Sequence, residues 1–240
     1  MNFVIGSAEE FKTGTIIPIY KPYDWTSFDV VRKVKNLIIK KLREKSDEKI
    51  KLKVGHAGTL DPLAEGLVLV CTGKATKKIQ ELQDAPKEYI TTIVLGKTTP
   101  SFDLETQYDQ EFPISHITEK FVQDSLIHFL GEQEQMPPVY SAKNINGKRA
   151  YSFAHKGEDV EMRPHNITIF EIELLRFTLP EIEIRIVCSK GTYIRSLAHD
   201  IGKSLNSGGH LVKLIRTRIG NYNTDFSVTL NDFEKILSTL

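Results

Sequence analysis

Apolar residues at Phe28, Val31, Val34, Leu37, Ile38 and Leu42 recur at the three- and four-residue spacing of one helix face. That spacing predicts an amphipathic helix from Ser27, read as its N-cap, to about Arg43, with its lysines outward. Ahead of it, Ile16 to Tyr20 reads as a short strand closed by a Lys-Pro turn. The continuous run Leu67-Val68-Leu69-Val70-Cys71 predicts a strand buried on both faces. A short helix is expected over Ala75 to Leu82, and a β-branched strand over Glu88 to Leu95. Thr118 is placed to cap a helix whose apolar face is Phe121, Val122, Leu126 and Phe129, with Gly131 ending it. Strands follow at Ile167 to Phe177 and Ile182 to Cys188, then a helix from about Tyr193 to Leu205. Apolar alternation from Leu211 to Ile219 is another strand, and Asn231 is expected to cap a last short helix.

Between Gln133 and Gly157 no period is visible, and Pro137-Pro138 with Asn144, Asn146 and Gly147 predicts an irregular excursion. Strands and helices alternate irregularly, so the expected fold is α+β: a mixed, mostly antiparallel sheet with flanking helices. A chain of 240 residues is long enough to bury a core without disulfide or metal staples. Cys71 and Cys188 lie in strand-like runs without metal-ligand spacing and are expected to be reduced and buried. No apolar run approaches a membrane span, and the N-terminus lacks signal-peptide order, so a cytoplasmic protein is expected.

The net charge of +1 is not that of a strongly basic nucleic-acid binder. Its distribution is uneven, however: Arg32 to Lys53 holds ten Lys or Arg against three acids. One face can therefore carry a local positive field that attracts phosphates. Along the excursion, Tyr140, Lys143, Lys148, Arg149, Tyr151 and Lys156 interleave rings that can stack on bases with cations that can meet phosphates.

Chemistry is most legible in GHAGTLDPLAEGLVLVCTG, residues 55 to 73. Gly55 and Gly58 allow backbone conformations closed to other residues, and Asp61-Pro62 is a turn pair directly ahead of the buried strand. A carboxylate there is held on a stiff support, as a catalytic group must be. Gly73-Lys74-Ala75-Thr76 suggests a phosphate loop but fails, with Val68 where a glycine is required and Ala75 where a hydroxyl is required. No G-x-S-x-G, H-E-x-x-H or Cys-x-x-Cys occurs, and the seven histidines are scattered. No metal site is expected.

Several stretches together resemble the TruB-type pseudouridine synthases, which convert uridine 55 in the T-loop of transfer RNA to pseudouridine. They are Lys21-Pro22 with Thr26-Ser27, GHAGTLDPLAEG, Lys87-Glu88-Tyr89, Pro137-Pro138-Val139-Tyr140-Ser141-Ala142, and CSKGTYIRSLAHDIG followed by Gly209-His210-Leu211. They cover most of residues 14 to 220 in the family's order. The resemblance implies the pseudouridine synthase core as one catalytic domain over 1–240. The excursion, about 133–157, is its RNA-binding insertion, and no separate C-terminal RNA-binding domain is expected.

The same resemblance implies Asp61 as the catalytic aspartate, Tyr89 as the pocket tyrosine, and Arg195 as the arginine paired with that aspartate. Tyr193 and Leu214 would line the pocket, and His56 matches the histidine set against the target loop. Lys190, Tyr140 and Lys143 complete the expected substrate contacts. Asn144, His155 and Ile215 depart from the family's usual lysine or arginine, and Asp103 is given no strong role. The partner implied is tRNA, with no membrane and no protein partner; a monomer is expected, and the lack of a heptad pattern argues against a coiled-coil dimer. The reaction is redox-neutral and requires no cofactor.

In that chemistry the base leaves its stack, the bond from sugar to nitrogen 1 breaks, and the sugar rejoins at carbon 5. Asp61 could attack the sugar, attack the base or abstract the 2′ proton. Arg195 suits the role of its countercharge because it stays protonated and can bond both carboxylate oxygens. The alternative reading is an RNA-binding, tRNA-folding chaperone on the same scaffold.

Overall fold

The structure is a computed structural model, describing residues 5–44, 50–140, 144–145, 148–149 and 162–240. It comprises two compact units, Met1–Tyr89 with Ile215–Leu240, and Ile90–Leu214.

In the first unit, helix α1 (Glu10–Thr13) precedes strand β1 (Ile16–Lys21), helix α2 (Ser27–Arg43), and strands β2 (Val54–His56) and β3 (Glu65–Thr72). A 3-10 turn over Gly73–Lys78 continues into α3 (Ile79–Asp84), where the sequence predicts one short helix. β3 is central. It pairs antiparallel with β1, from Ile16↔Cys71 to Lys21↔Gly66, and with β2, from Val54↔Thr72 to His56↔Val70. Its start runs parallel to a later strand, β12 (Gly209–Ile219), at Ile215↔Glu65 and Arg216↔Gly66. Neighbours on both sides explain the uninterrupted apolar run, since Leu67 to Cys71 are fully buried. Leu67, Leu69 and Cys71 pack with Ala57, Ala75, Leu82 and Ile219 in one core cluster.

Helix α2 has the expected bounds with a different cap. Thr26 caps it in a reciprocal box with Asp29, while the Ser27 hydroxyl turns inward. Val30 is buried and Phe28 lies two-thirds exposed, so the apolar stripe is rotated from the predicted one. The C-terminal helix α6 (Leu230–Ser238) is capped by Thr229 rather than Asn231. Its Phe233 meets Phe11 edge-on at 6.0 Å.

In the second unit the strand order is β12, β4 (Lys87–Leu95), β11 (Glu181–Cys188), β10 (His165–Thr178) and β7 (Gly131–Gln135). β10 is antiparallel to both β11 and β7. β7 overturns two expectations. Gly131 opens this strand instead of ending the preceding helix α4 (Glu119–Ile127), and Gln133 to Gln135 belong to a strand, not to an irregular excursion. A short hairpin of β5 (Lys97–Thr98) and β6 (Gln110–Glu111) encloses an acidic turn region, and β8 (Asn144–Ile145) pairs with β9 (Lys148–Arg149). Helix α5 (Ile194–Ser204) follows β11 and buries Ile194, Leu197, Ala198 and Ile201. β13 (Tyr222–Asn223) pairs with the end of β12 in the first unit. The mostly antiparallel α+β expectation holds, with β3 and β12 as the parallel pair described.

Candidate active site

Asp61 lies in the loop from β2 to β3 and is half-buried. The backbone on either side of it is tied down residue by residue. Arg216, 1% exposed on β12, donates from Nη2 to the Gly58 carbonyl at 3.1 Å and from Nη1 to the Thr59 carbonyl at 3.3 Å. Its Nε donates to the Leu67 carbonyl at 2.8 Å. The Ser27 hydroxyl accepts from the Leu60 amide at 2.9 Å and donates to the Leu60 carbonyl at 3.2 Å. The Pro62 carbonyl accepts from the Asp24 amide at 3.0 Å and from Lys21 Nζ at 3.1 Å. Within the turn, the Ala64 amide reaches the Asp61 carbonyl at 3.1 Å. Four side chains or amides from three elements thus hold residues 58 to 62, and the carboxylate leaves a rigid base.

Lys21 is fully buried, and its ammonium also donates to the carbonyls of Pro22 at 2.9 Å and Trp25 at 2.6 Å. Burial lowers it to about 8, against the opposing pull of Glu65 and Asp61. Gly58 has φ +86°, as its place in the turn requires. Gly55 differs: its φ is ordinary, and a Cβ there would lie 2.7 Å from Ile79 Cδ1. At the end of β2, burial lowers the His56 imidazole below its usual range, a hydrogen bond with the Gly58 backbone opposes this, and the Arg216 charge adds to it. Tyr89, on β4, is buried.

Arg216→Met is expected to lower the free energy of unfolding by about 1–3 kcal/mol, since the buried Leu67 carbonyl loses its donor outright while the part-buried Gly58 and Thr59 carbonyls can turn to water. A urea midpoint within experimental scatter of wild type would show that those bonds contribute nothing.

The second unit presents a guanidinium. Arg195, near the start of α5 and 5% exposed, meets Asp103 Oδ2 at 3.3 Å. The other Asp103 oxygen accepts from the Glu105 amide at 2.9 Å, and its carbonyl accepts from Thr99 Oγ1 at 2.7 Å. Two positions earlier, the Tyr193 backbone is gripped at both ends by Gln135. The Tyr193 amide donates to Oε1 at 2.8 Å, and Nε2 donates to the Tyr193 carbonyl at 3.0 Å. His165 packs edge-on against the Tyr193 ring at 5.8 Å. Leu214 is buried on β12, with the neighbouring Lys213 carbonyl held by Thr91 Oγ1 at 2.8 Å. Lys190 is exposed and Tyr140 half-buried.

Comparison with known proteins decides the family. The model for the TruB family pseudouridylate synthase N-terminal domain matches residues 43–194, and that for the tRNA pseudouridylate synthase B C-terminal domain matches 195–239. The chain belongs to the TruB family. It is 54% identical over 227 residues to the tRNA pseudouridine synthase B of Phocaeicola vulgatus, covering 95% of this chain and 94% of that one. It is 51% identical to the Flavobacterium johnsoniae protein of the same name, covering 95% and 98%. Among solved structures, a chain of a Cbf5-Nop10-Gar1 complex superposes with a TM-score of 0.72 at 28% identity. That match covers 96% of this chain and 56% of the other, so the chain spans about half of its length.

Of the residues singled out by the TruB resemblance, the first unit carries His56, Asp61 and Tyr89, with His56 ending β2 and Asp61 in the loop that follows it. The second carries Tyr140, Lys190, Tyr193, Arg195 and Leu214, while Lys143 lies outside the described residues. Sequence reasoning missed Arg216, and it did not foresee that Asp103, given no strong role, would be the carboxylate against Arg195. No group of three His, Cys, Asp or Glu that could hold a metal ion is found among the described residues. No helix among them is long and apolar enough to cross a membrane.

Proposed function

We propose that this TruB-family chain isomerises uridine 55 in the T-loop of tRNA to pseudouridine, as a single catalytic domain. The observation that carries the reading is Asp61, a carboxylate on a turn whose flanking carbonyls are bound by Arg216, Ser27 and Lys21. The naming of the Phocaeicola and Flavobacterium relatives as tRNA pseudouridine synthase B supports it.

In the isomerisation the bond from C1′ to N1 breaks, the base turns over in place, and C1′ bonds to C5. The C5 proton leaves and N1 gains one, so atoms and electrons balance without a redox partner. Extruding the base costs a few kcal/mol, offset by backbone and stacking contacts. Asp61 supplies the reactive carboxylate and Arg195 its countercharge. The Tyr89 ring stacks on the extruded base, with Tyr193 and Leu214 keeping water from the detached ring. His56 fills the space the base leaves, and Lys190, Tyr140 and Lys143 meet the RNA backbone and its neighbouring bases. The protein acts as a monomer in the cytoplasm.

The test is turnover on a tRNA transcript tritiated at C5 of its uridines. One tritium released per tRNA is expected, and none from a transcript with cytidine at position 55. Binding should weaken linearly in log affinity against log salt, as phosphate contacts require. Undiminished release from the cytidine transcript would defeat the site assignment.

A further inference from the structure

Within the β5–β6 hairpin, Phe102 has φ +63°. For a bulky aromatic residue that left-handed conformation is strained and persists only where surrounding contacts over-determine it. Three contacts do so. The Phe102 amide donates to the Thr99 carbonyl at 3.1 Å, and the Leu211 amide donates to the Phe102 carbonyl at 2.9 Å. Its ring stacks on His199, with centroids 4.2 Å apart and planes 21° apart.

The consequence is geometric. Consecutive residues in extended chain point to opposite sides. Phe102 and Asp103 are consecutive, yet both meet α5: Asp103 at Arg195 and Phe102 at His199. Arg195 and His199 are four residues apart and share one face of that helix. The left-handed turn at Phe102 is what lets two adjacent side chains grip two positions one helical turn apart. The Asp103 carboxylate is already oriented locally by the Glu105 amide, and its carbonyl by Thr99 and Ser101. Those bonds fix the loop against itself. They do not fix where the loop sits along α5.

β12 holds the hairpin backbone as well, through the Leu211 amide on the Phe102 carbonyl and, at the hairpin's base, through His210. His210 Nδ1 lies 2.9 Å from the Lys97 carbonyl and Tyr108 packs edge-on against the His210 ring at 5.1 Å. The stack on His199 is therefore the ring contact next to Asp103 itself. We propose that Phe102 and His199 are positioning residues: their stacked rings set the register of the loop on α5, which places the Asp103 carboxylate and, through it, the Arg195 guanidinium. The inference rests on the assignment of Arg195 made above.

Steady-state kinetics of tritium release on the full-length chain test it. Phe102→Gly removes the ring while making the left-handed backbone free of strain, so it isolates the stack from the turn. It is expected to lower kcat on the order of ten- to a hundred-fold, the effect of a small misplacement at a reacting centre, with KM for tRNA and the thermal midpoint little changed. His199→Ala, which leaves the loop backbone untouched, should do the same from the other side. His199→Phe keeps a planar ring and should restore kcat to within about three-fold of wild type.

Asp103→Asn should also lower kcat, and adding Phe102→Gly to it should cost nothing further, because the two act along one path. Full kcat in Phe102→Gly, multiplicative losses in the double variant, or His199→Phe as damaging as His199→Ala would each overturn the proposal. Normal turnover in Asp103→Asn would overturn it as well, whereas undiminished turnover in Arg195→Met would instead overturn the role given to Arg195, which keeps the two failures apart.

Discussion

Asp61→Ala is expected to abolish tritium release from C5-labelled uridine while leaving tRNA affinity within a few-fold of wild type. The contacts that hold residues 58 to 62 run through backbone carbonyls and amides, to Arg216, Ser27, Lys21 and Asp24. Replacing the side chain at 61 leaves every one of them in place, so the turn and the strand behind it should persist. Affinity should persist too, because binding to a polyanion draws on cations and stacking surfaces, and a carboxylate contributes nothing favourable to it. What is lost is the group that forms or breaks bonds, and no neighbouring side chain on that turn can replace it: Leu60 and Pro62 flank it. Asp61→Asn sharpens the test by keeping size and shape while removing the charge. Release retained in either variant would take Asp61 out of the chemistry; affinity lost together with turnover would make it a binding residue.

The parts of this molecule legible in its sequence are those where one periodicity runs long enough to dominate. β3 reads as a buried strand because it has neighbours on both sides, and α2 reads as a helix because Val31, Val34, Leu37, Ile38 and Leu42 all face the core. β7 did not read at all. Its residues GEQEQ have no apolar alternation, and it exists because its backbone pairs with His165 to Ile169 of β10, a tertiary cause invisible locally. Thr26 and Ser27 are both capping residues. The spacing to Asp29 marks Thr26 as the cap, and that reading frees Ser27 for Leu60.

Asp61 was found because glycine, proline and an apolar run bracket it. Arg216 was missed because it sits inside an apolar strand pattern. Its signal was there, since it follows Leu214 at a two-residue interval and so falls on the same inward face, where a charge must have partners. Asp103 had no such signal. Its importance depends on Arg195, nearly a hundred residues later, and on a left-handed Phe102, a conformation that a bulky residue adopts too rarely to be anticipated.

Arg195→Met should lower turnover on the order of a hundred- to a thousand-fold, the usual effect of removing one preorganised group that stabilises charge at a reacting centre. The side chain keeps its length, so packing around α5 is largely conserved while the charge is gone. That loss has two separable parts. Asp103 is 4% exposed, and without Arg195 it becomes a buried carboxylate lacking its cation, which costs on the order of 3–5 kcal/mol of stability. Arg195→Met alone therefore risks losing activity by weakening the fold. Combining it with Asp103→Asn removes both charges, and the urea midpoint of the double variant should recover most of the loss. Its activity should not recover if, as proposed, Arg195 supplies the countercharge of Asp61, since that charge is still absent. Arg195→Lys should fall between, keeping the charge but not the planar fork that bonds two oxygens at once. If the double variant regains turnover along with stability, the guanidinium serves only to balance Asp103, and the carboxylate at 61 is kept ionised by some other group.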